Sequence, residues 1–118
     1  MITTLLEEKI VQEIAALGRE RAPAEACGIL LPTPHKGERV WEMPNRSLHP
    51  QDSFTMHGTD IKLSVGDWEG DFREMVIWHT HPAGNIGPSR EDLRGRLDRV
   101  GNLVITLLPN NEAKATWY

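Results

Sequence analysis

The segment Met75-Val76-Ile77-Trp78-His79-Thr80-His81 constrains this chain more than any other. Met75 and Ile77 fall on one side of an extended strand, Val76 and Trp78 on the other. A strand that is apolar on both faces belongs at the centre of a sheet. Residues i and i+2 of a strand share a face. His79 and His81 therefore leave the strand end side by side, while Thr80 points away. Asp92 arrives from the next element and can close a third position. Two imidazoles and one carboxylate, with water in the fourth place, form the ligand set of a hydrolytic zinc centre.

The rest of the chain supplies a sheet and helices around that strand. Leu6, Ile10, Ile14 and Leu17 recur at helical spacing, and Thr4 with Glu7 makes a capping box. This predicts a helix from Thr4 to about Leu17, stopped by Gly18. Ala22-Pro23 breaks the chain ahead of Glu25. Cys27 to Leu31 and Leu103 to Leu108 read as further interior strands. Arg39 to Met43 reads as a strand returning from a polar turn, with Trp41 and Met43 on one side. The pattern then gives a loop from Asn45, a short strand over Ser53 to His57, one or two helical turns over Thr59 to Val65, and a polar loop over Gly66 to Arg73. Ser89 to Val100 reads as a second helix with Leu93, Leu97 and Val100 inward and Gly101 as its stop. Asn110-Asn111 makes a turn into an outer strand, Ala113 to Trp117. That order implies an α/β sandwich with helices packed on a mixed sheet. At 118 residues it is expected to be one domain, spanning residues 1–118. Trp41, Trp78 and Trp117 take strand positions and are expected in the core; Trp68 is the tryptophan expected to be exposed.

Composition excludes several classes. A net charge of −4, with arginines that alternate with acids, offers no nucleic-acid footprint. No stretch approaches the ~20 apolar residues of a membrane span. The first residues carry acids rather than a basic leader. One cysteine, Cys27, excludes an internal disulfide and suits a reducing compartment, so a cytoplasmic location is expected. The outer strand and Trp68 permit a dimer without requiring one.

His79-x-His81-Pro82, six residues, then Ser89-x-x-Asp92 resembles the JAMM motif of the JAB/MPN metalloproteases. That family also needs a glutamate at the start of a buried strand upstream. Glu25, in Glu25-Ala26-Cys27-Gly28-Ile29-Leu30-Leu31, fits the place. The resemblance runs from the first helix to the final strand. It implies an α-β-α sandwich of cytidine-deaminase-like topology, which periodicity alone does not choose. It implies one zinc per chain, held by His79, His81 and Asp92 with water as fourth ligand. Glu25 would take a proton from the attacking water and deliver it to the leaving amine. Ser89 would donate to the oxyanion of the tetrahedral intermediate.

By the same resemblance the substrate is a protein or peptide with an extended tail, ubiquitin-like in character, docked as an added strand. The chain lacks the long insertions with which eukaryotic members grip ubiquitin. It therefore looks like the compact prokaryotic or phage-type subgroup, acting in the cytoplasm, or in the host cytoplasm if phage-encoded. A sulfur-carrier-like protein, a ubiquitin-like tag or a phage tail protein then becomes the expected substrate. Its extended, small-residue tail would lie between the metal strand, the Ala83–Pro88 loop and the segment near Asp52–His57.

Each assignment has a plainer rival. Ser89-Arg90-Glu91-Asp92 is also a capping box at a helix start, and the two roles are compatible. Cys27 reads as a small buried residue. His35, His49 and His57 lack ligand spacing. At the level of function, the rival is a non-catalytic MPN scaffold or phage tail-assembly module. Such domains lose motif residues, and here all five positions are filled. A nucleobase deaminase would need H-x-E and P-C-x-x-C, which this chain lacks.

Overall fold

The computed structural model describes residues 6–33, 37–66 and 74–118. Its elements run α1 (Glu8–Arg21), β1 (Cys27–Thr33), β2 (Gly37–Met43), α2 (Gly58–Val65), β3 (Val76–His81), α3 (Arg90–Arg94), β4 (Gly101–Leu107) and β5 (Ala113–Trp117). The strands make a five-stranded mixed sheet in the order β2-β1-β3-β4-β5. Strands β3 and β4 pair in parallel, and the other neighbours are antiparallel. The histidine-bearing strand is thus the middle one, and all six of its residues are buried.

The two sides of the sheet follow from side-chain alternation. Leu30, Val76, Trp78, Leu103 and Ile105 point to one side and pack on Ile10, Val11, Ile14 and Ala15 of α1. Cys27, Ile29, Leu31 and Ile77 point to the other, where Phe54, Met56 and Ile61 cover them. His79 and His81 share the parity of Ile77 and so emerge on this second side. Two glycines permit close packing. A Cβ on Gly18 would come 2.7 Å from Thr80 Cγ2, so its absence lets α1 press on β3. A Cβ on Gly28 would overlap the Trp41 carbonyl and the Trp78 ring, whose Nε1 donates to Ile29 O at 3.2 Å.

Several elements differ from the sequence reading. Helix α1 continues through Gly18 to Arg21, because Gly18 is a buried packing point rather than a stop. Its Glu7 N-cap makes no capping hydrogen bond through its side chain, and Thr4 lies outside the described residues. Ser53 to His57 is not a strand. The Asn45 amide takes up that segment's backbone instead: Nδ2 donates to Glu25 O and Ser53 O at 3.0 Å each, and Oδ1 accepts from Ser47 N and Thr55 N. The helix predicted over Ser89 to Val100 is only Arg90–Arg94. It ends at Gly95, and Leu93 and Leu97, expected inward, are each 52% exposed; only Val100 packs on the core. Trp78 is fully buried, whereas Trp41 and Trp117 are half-buried at the edges of the core. His35 and Trp68 lie outside the described residues. The Asn110-Asn111 turn forms as expected, with φ of 64° and 61°. No helix among the described residues is long and apolar enough to cross a membrane.

Candidate metal centre

Sheet register delivers most of the site. Cys27 pairs with His79, and the pairing extends one step past the ladder: Thr80 N–H donates to Ala26 O at 2.9 Å, and Ala26 N–H donates to Thr80 Oγ1 at 2.9 Å. Glu25 is thereby carried beside the histidine end of β3. Its backbone is pinned from the other side, with its N–H donating to Pro50 O at 2.7 Å and its carbonyl accepting from Asn45 Nδ2. Asp92 comes from α3, where the capping box is present. Asp92 N–H donates to Ser89 Oγ at 3.0 Å, and Ser89 N–H donates to Asp92 Oδ2 at 2.9 Å.

Three of these side chains meet at one point. His79 Nε2, His81 Nε2 and Asp92 Oδ2 lie 3.0, 3.1 and 3.2 Å from one another. Ligand atoms around tetrahedral zinc, with bonds of about 2.05 Å, stand about 3.3 Å apart. Tautomer chemistry makes the fit stronger. His81 Nδ1 faces the carbonyl of Asn85 at 3.0 Å, and a carbonyl only accepts, so Nδ1 carries the proton. In neutral His81, Nε2 is then a bare lone pair aimed at the other two atoms. His79 is oriented by the Phe54 ring stacked on it at 4.4 Å and by the Tyr118 hydroxyl 3.5 Å from its Nδ1. Three ligand-type atoms this close together are spaced so that they could hold a cation between them.

Electrostatics sets the two histidines apart. Burial alone would lower the His81 imidazole, but Asp92, the Asn85 carbonyl and Glu25 outweigh that and raise it above its ordinary range. Burial holds the His79 imidazole below its ordinary range, in the neutral form that ligates. Burial alone would raise the Asp92 carboxyl, but its hydrogen bonds to His79 and His81 outweigh that and hold it well below the usual range. Glu25 behaves in the opposite way. It is 6% exposed, and its Oε1 has no hydrogen-bond partner among the described residues. Burial pushes its pKa up to about 7. Glu25, His79 and His81 each bring a donor atom within 4.8 Å of the other two, so the buried cluster could hold a metal ion.

The structure thus brings Glu25, His79, His81, Ser89 and Asp92 to one place. Cys27 is beside the site on β1, its thiol turned to Met43 O at 3.6 Å and pushed up to about 12 by burial. His49 and His57 are exposed and are not part of the buried cluster. Sequence reasoning missed Asn45, Phe54, Asn85 and Tyr118. None of them sits at a motif spacing. Asn85 acts through its backbone carbonyl, which also accepts from Thr106 Oγ1 at 2.9 Å and so is fixed by β4.

A family model described as prokaryotic homologs of the JAB domain matches residues 7–117. The solution structure of a protein from Desulfitobacterium hafniense is similar, with a TM-score of 0.71 and 28% sequence identity over 93% of this chain and 79% of that one. No curated protein matches the chain.

Proposed function

This chain belongs to the prokaryotic JAB-domain family, and on that premise we propose that it is a zinc-dependent hydrolase of peptide or isopeptide bonds. The observation that carries the reading is the pairing of the His79–His81–Asp92 triangle with the buried Glu25 beside it, whose Oε1 has no hydrogen-bond partner among the described residues. His79, His81 and Asp92 would hold the ion. Bound zinc supplies Lewis acidity, lowering the pKa of water to ~7 and polarising the scissile carbonyl.

The remaining chemistry belongs to the protein. Among the described residues Glu25 Oε1 has no competing partner, so it can accept a proton from the attacking water. A carboxyl whose pKa is about 7 can also give that proton up, here to the leaving amine. Ser89 Oγ accepts the Asp92 N–H, which leaves its own O–H to donate to the developing oxyanion. Thr106 and Asn85 fix the His81 ring, and Phe54 and Tyr118 fix the His79 ring. The protein or peptide substrate is proposed to lie extended across the mouth of the site, where Asp52, His81, Pro82 and Ile86 line a cavity of about 310 Å³ that also contains Glu25. Its one cysteine, buried and free, suits the cytoplasm.

Zinc titration of metal-free protein tests this division of labour. Wild type should bind one equivalent. His79→Ala and Asp92→Ala should lose it, and Glu25→Gln should keep it. Loss of zinc in Glu25→Gln as complete as in Asp92→Ala would make Glu25 a ligand and remove the proton carrier. A wild-type protein that binds no zinc would leave the non-catalytic scaffold as the reading.

A further inference from the structure

A second cavity, of about 500 Å³, is separate from the Glu25 cavity and has Asp92 in its lining. Phe54, Met56, Ile61, Met75 and Leu97 give it an apolar wall, and Ile77 of β3 forms part of its floor. It is continuous with the metal centre. Asp92 lines it directly, and so do Phe54 and Tyr118, the two rings that flank His79. Nothing in the hydrolytic mechanism uses this space. Its volume falls in the range of pockets built for ligands, which is ~300–1,000 Å³. Two of its walls are methionines, whose unbranched side chains adapt to different apolar shapes.

We infer that this cavity is a specificity pocket that seats one bulky apolar side chain of the substrate, leucine, methionine or phenylalanine, next to the bond being cut. The inference rests on the hydrolytic reading above and adds the substrate class. An extended substrate crossing His81 and Asp92 turns alternate side chains to opposite sides. A side chain directed past Asp92 meets Phe54 and Met56, an apolar space far larger than glycine or alanine can fill. The tail of small residues expected from the sequence therefore holds only for the Glu25 side. A single methylene in an apolar pocket is worth ~10-fold or more in discrimination, so leucine should exceed glycine by at least that factor.

The probes are acetylated Gly/Ser decapeptides carrying one Gly, Ala, Leu or Phe at the central position. Binding is read from the methyl NMR signals of the methionines in wild-type protein, with and without added zinc. Met56 and Met75 line the cavity, whereas Met43 is fully buried in the core beneath them, does not line it, and serves as the control. The Leu and Phe peptides should shift the Met56 and Met75 signals and leave Met43 still. They should bind at least ~10-fold more tightly than the Gly peptide. Met56→Trp, which narrows the cavity at its apolar wall, should weaken that preference while zinc binding is kept. Equal affinity for Gly and Leu, shifts that spare Met56 and Met75, or no binding of any peptide would each overturn the inference. Binding with the expected preference, but no cleavage by the zinc-loaded protein, would keep the pocket and refute the hydrolytic reading instead.

Discussion

Replacing Glu25 by glutamine should make the metal-free protein more stable while removing its activity. Glu25 is 6% exposed and its Oε1 has no hydrogen-bond partner among the described residues, so folding strips water from a carboxylate that the nearby His81 compensates only in part. Burial raises its pKa from an ordinary 4.5 to about 7. The unfolded chain releases the proton near 4.5 and the folded chain holds it until about 7. Any stability tied to this group is therefore complete below pH 4.5, declines as pH rises toward 7, and stays low above that. The rise corresponds to ~3 kcal/mol. Glutamine carries no charge at any pH. Its advantage over wild type should be near zero at about pH 4.5 and approach ~3 kcal/mol at about pH 8. Urea unfolding of both proteins in chelator, at pH values across that range, measures the difference directly. Titrations outside the Glu25–His81 pair are shared by the two proteins and cancel. A glutamine variant that is less stable at pH 8, or an advantage that does not change with pH, would show that the carboxylate is satisfied in the fold and is not poised to carry a proton.

Ser89→Ala removes both the acceptor for Asp92 N–H and the oxyanion donor. It should cost ~1 kcal/mol in urea unfolding and reduce kcat by ~10²–10³. Gly18→Ala should destabilise by ~1 kcal/mol or more in the same assay, although alanine is the better helix former, because its Cβ would meet Thr80 Cγ2 at 2.7 Å. Tyr118→Phe removes the hydroxyl 3.5 Å from His79 Nδ1 and should weaken zinc binding ~10-fold in a competition titration, with little change in stability.

The parts of this molecule that were legible in the sequence are those governed by short periods. Alternation along Val76 to His81 gave a central strand with two histidines on one face, because a strand's period is fixed by its backbone. The capping box at Ser89 was equally local. Three features were not local. Helix α3 stops at Gly95 although Leu93, Leu97 and Val100 keep helical spacing, since among the described residues no element buries Leu93 and Leu97. The Ser53 to His57 segment alternates like a strand, but the Asn45 side chain captures its backbone before a sheet edge can. Gly18 looked like a helix stop, and only the approach of Thr80 from β3 gives it its role. The site shows the same division. The ligand candidates can be found by spacing, whereas Phe54, Asn85 and Tyr118 reach it through loops and register that no spacing encodes.

The central claim is that the triangle and Glu25 together make a hydrolytic centre. It is tested most directly by following cleavage of a mixed library of extended peptides by mass spectrometry. Wild type and Glu25→Gln are compared, each carrying one equivalent of zinc. Wild type should cleave, stop when a chelator is added, and resume when zinc is restored. Glu25→Gln should hold its zinc and leave the library intact. Cleavage that survives the chelator, or that proceeds equally in Glu25→Gln, would contradict the account.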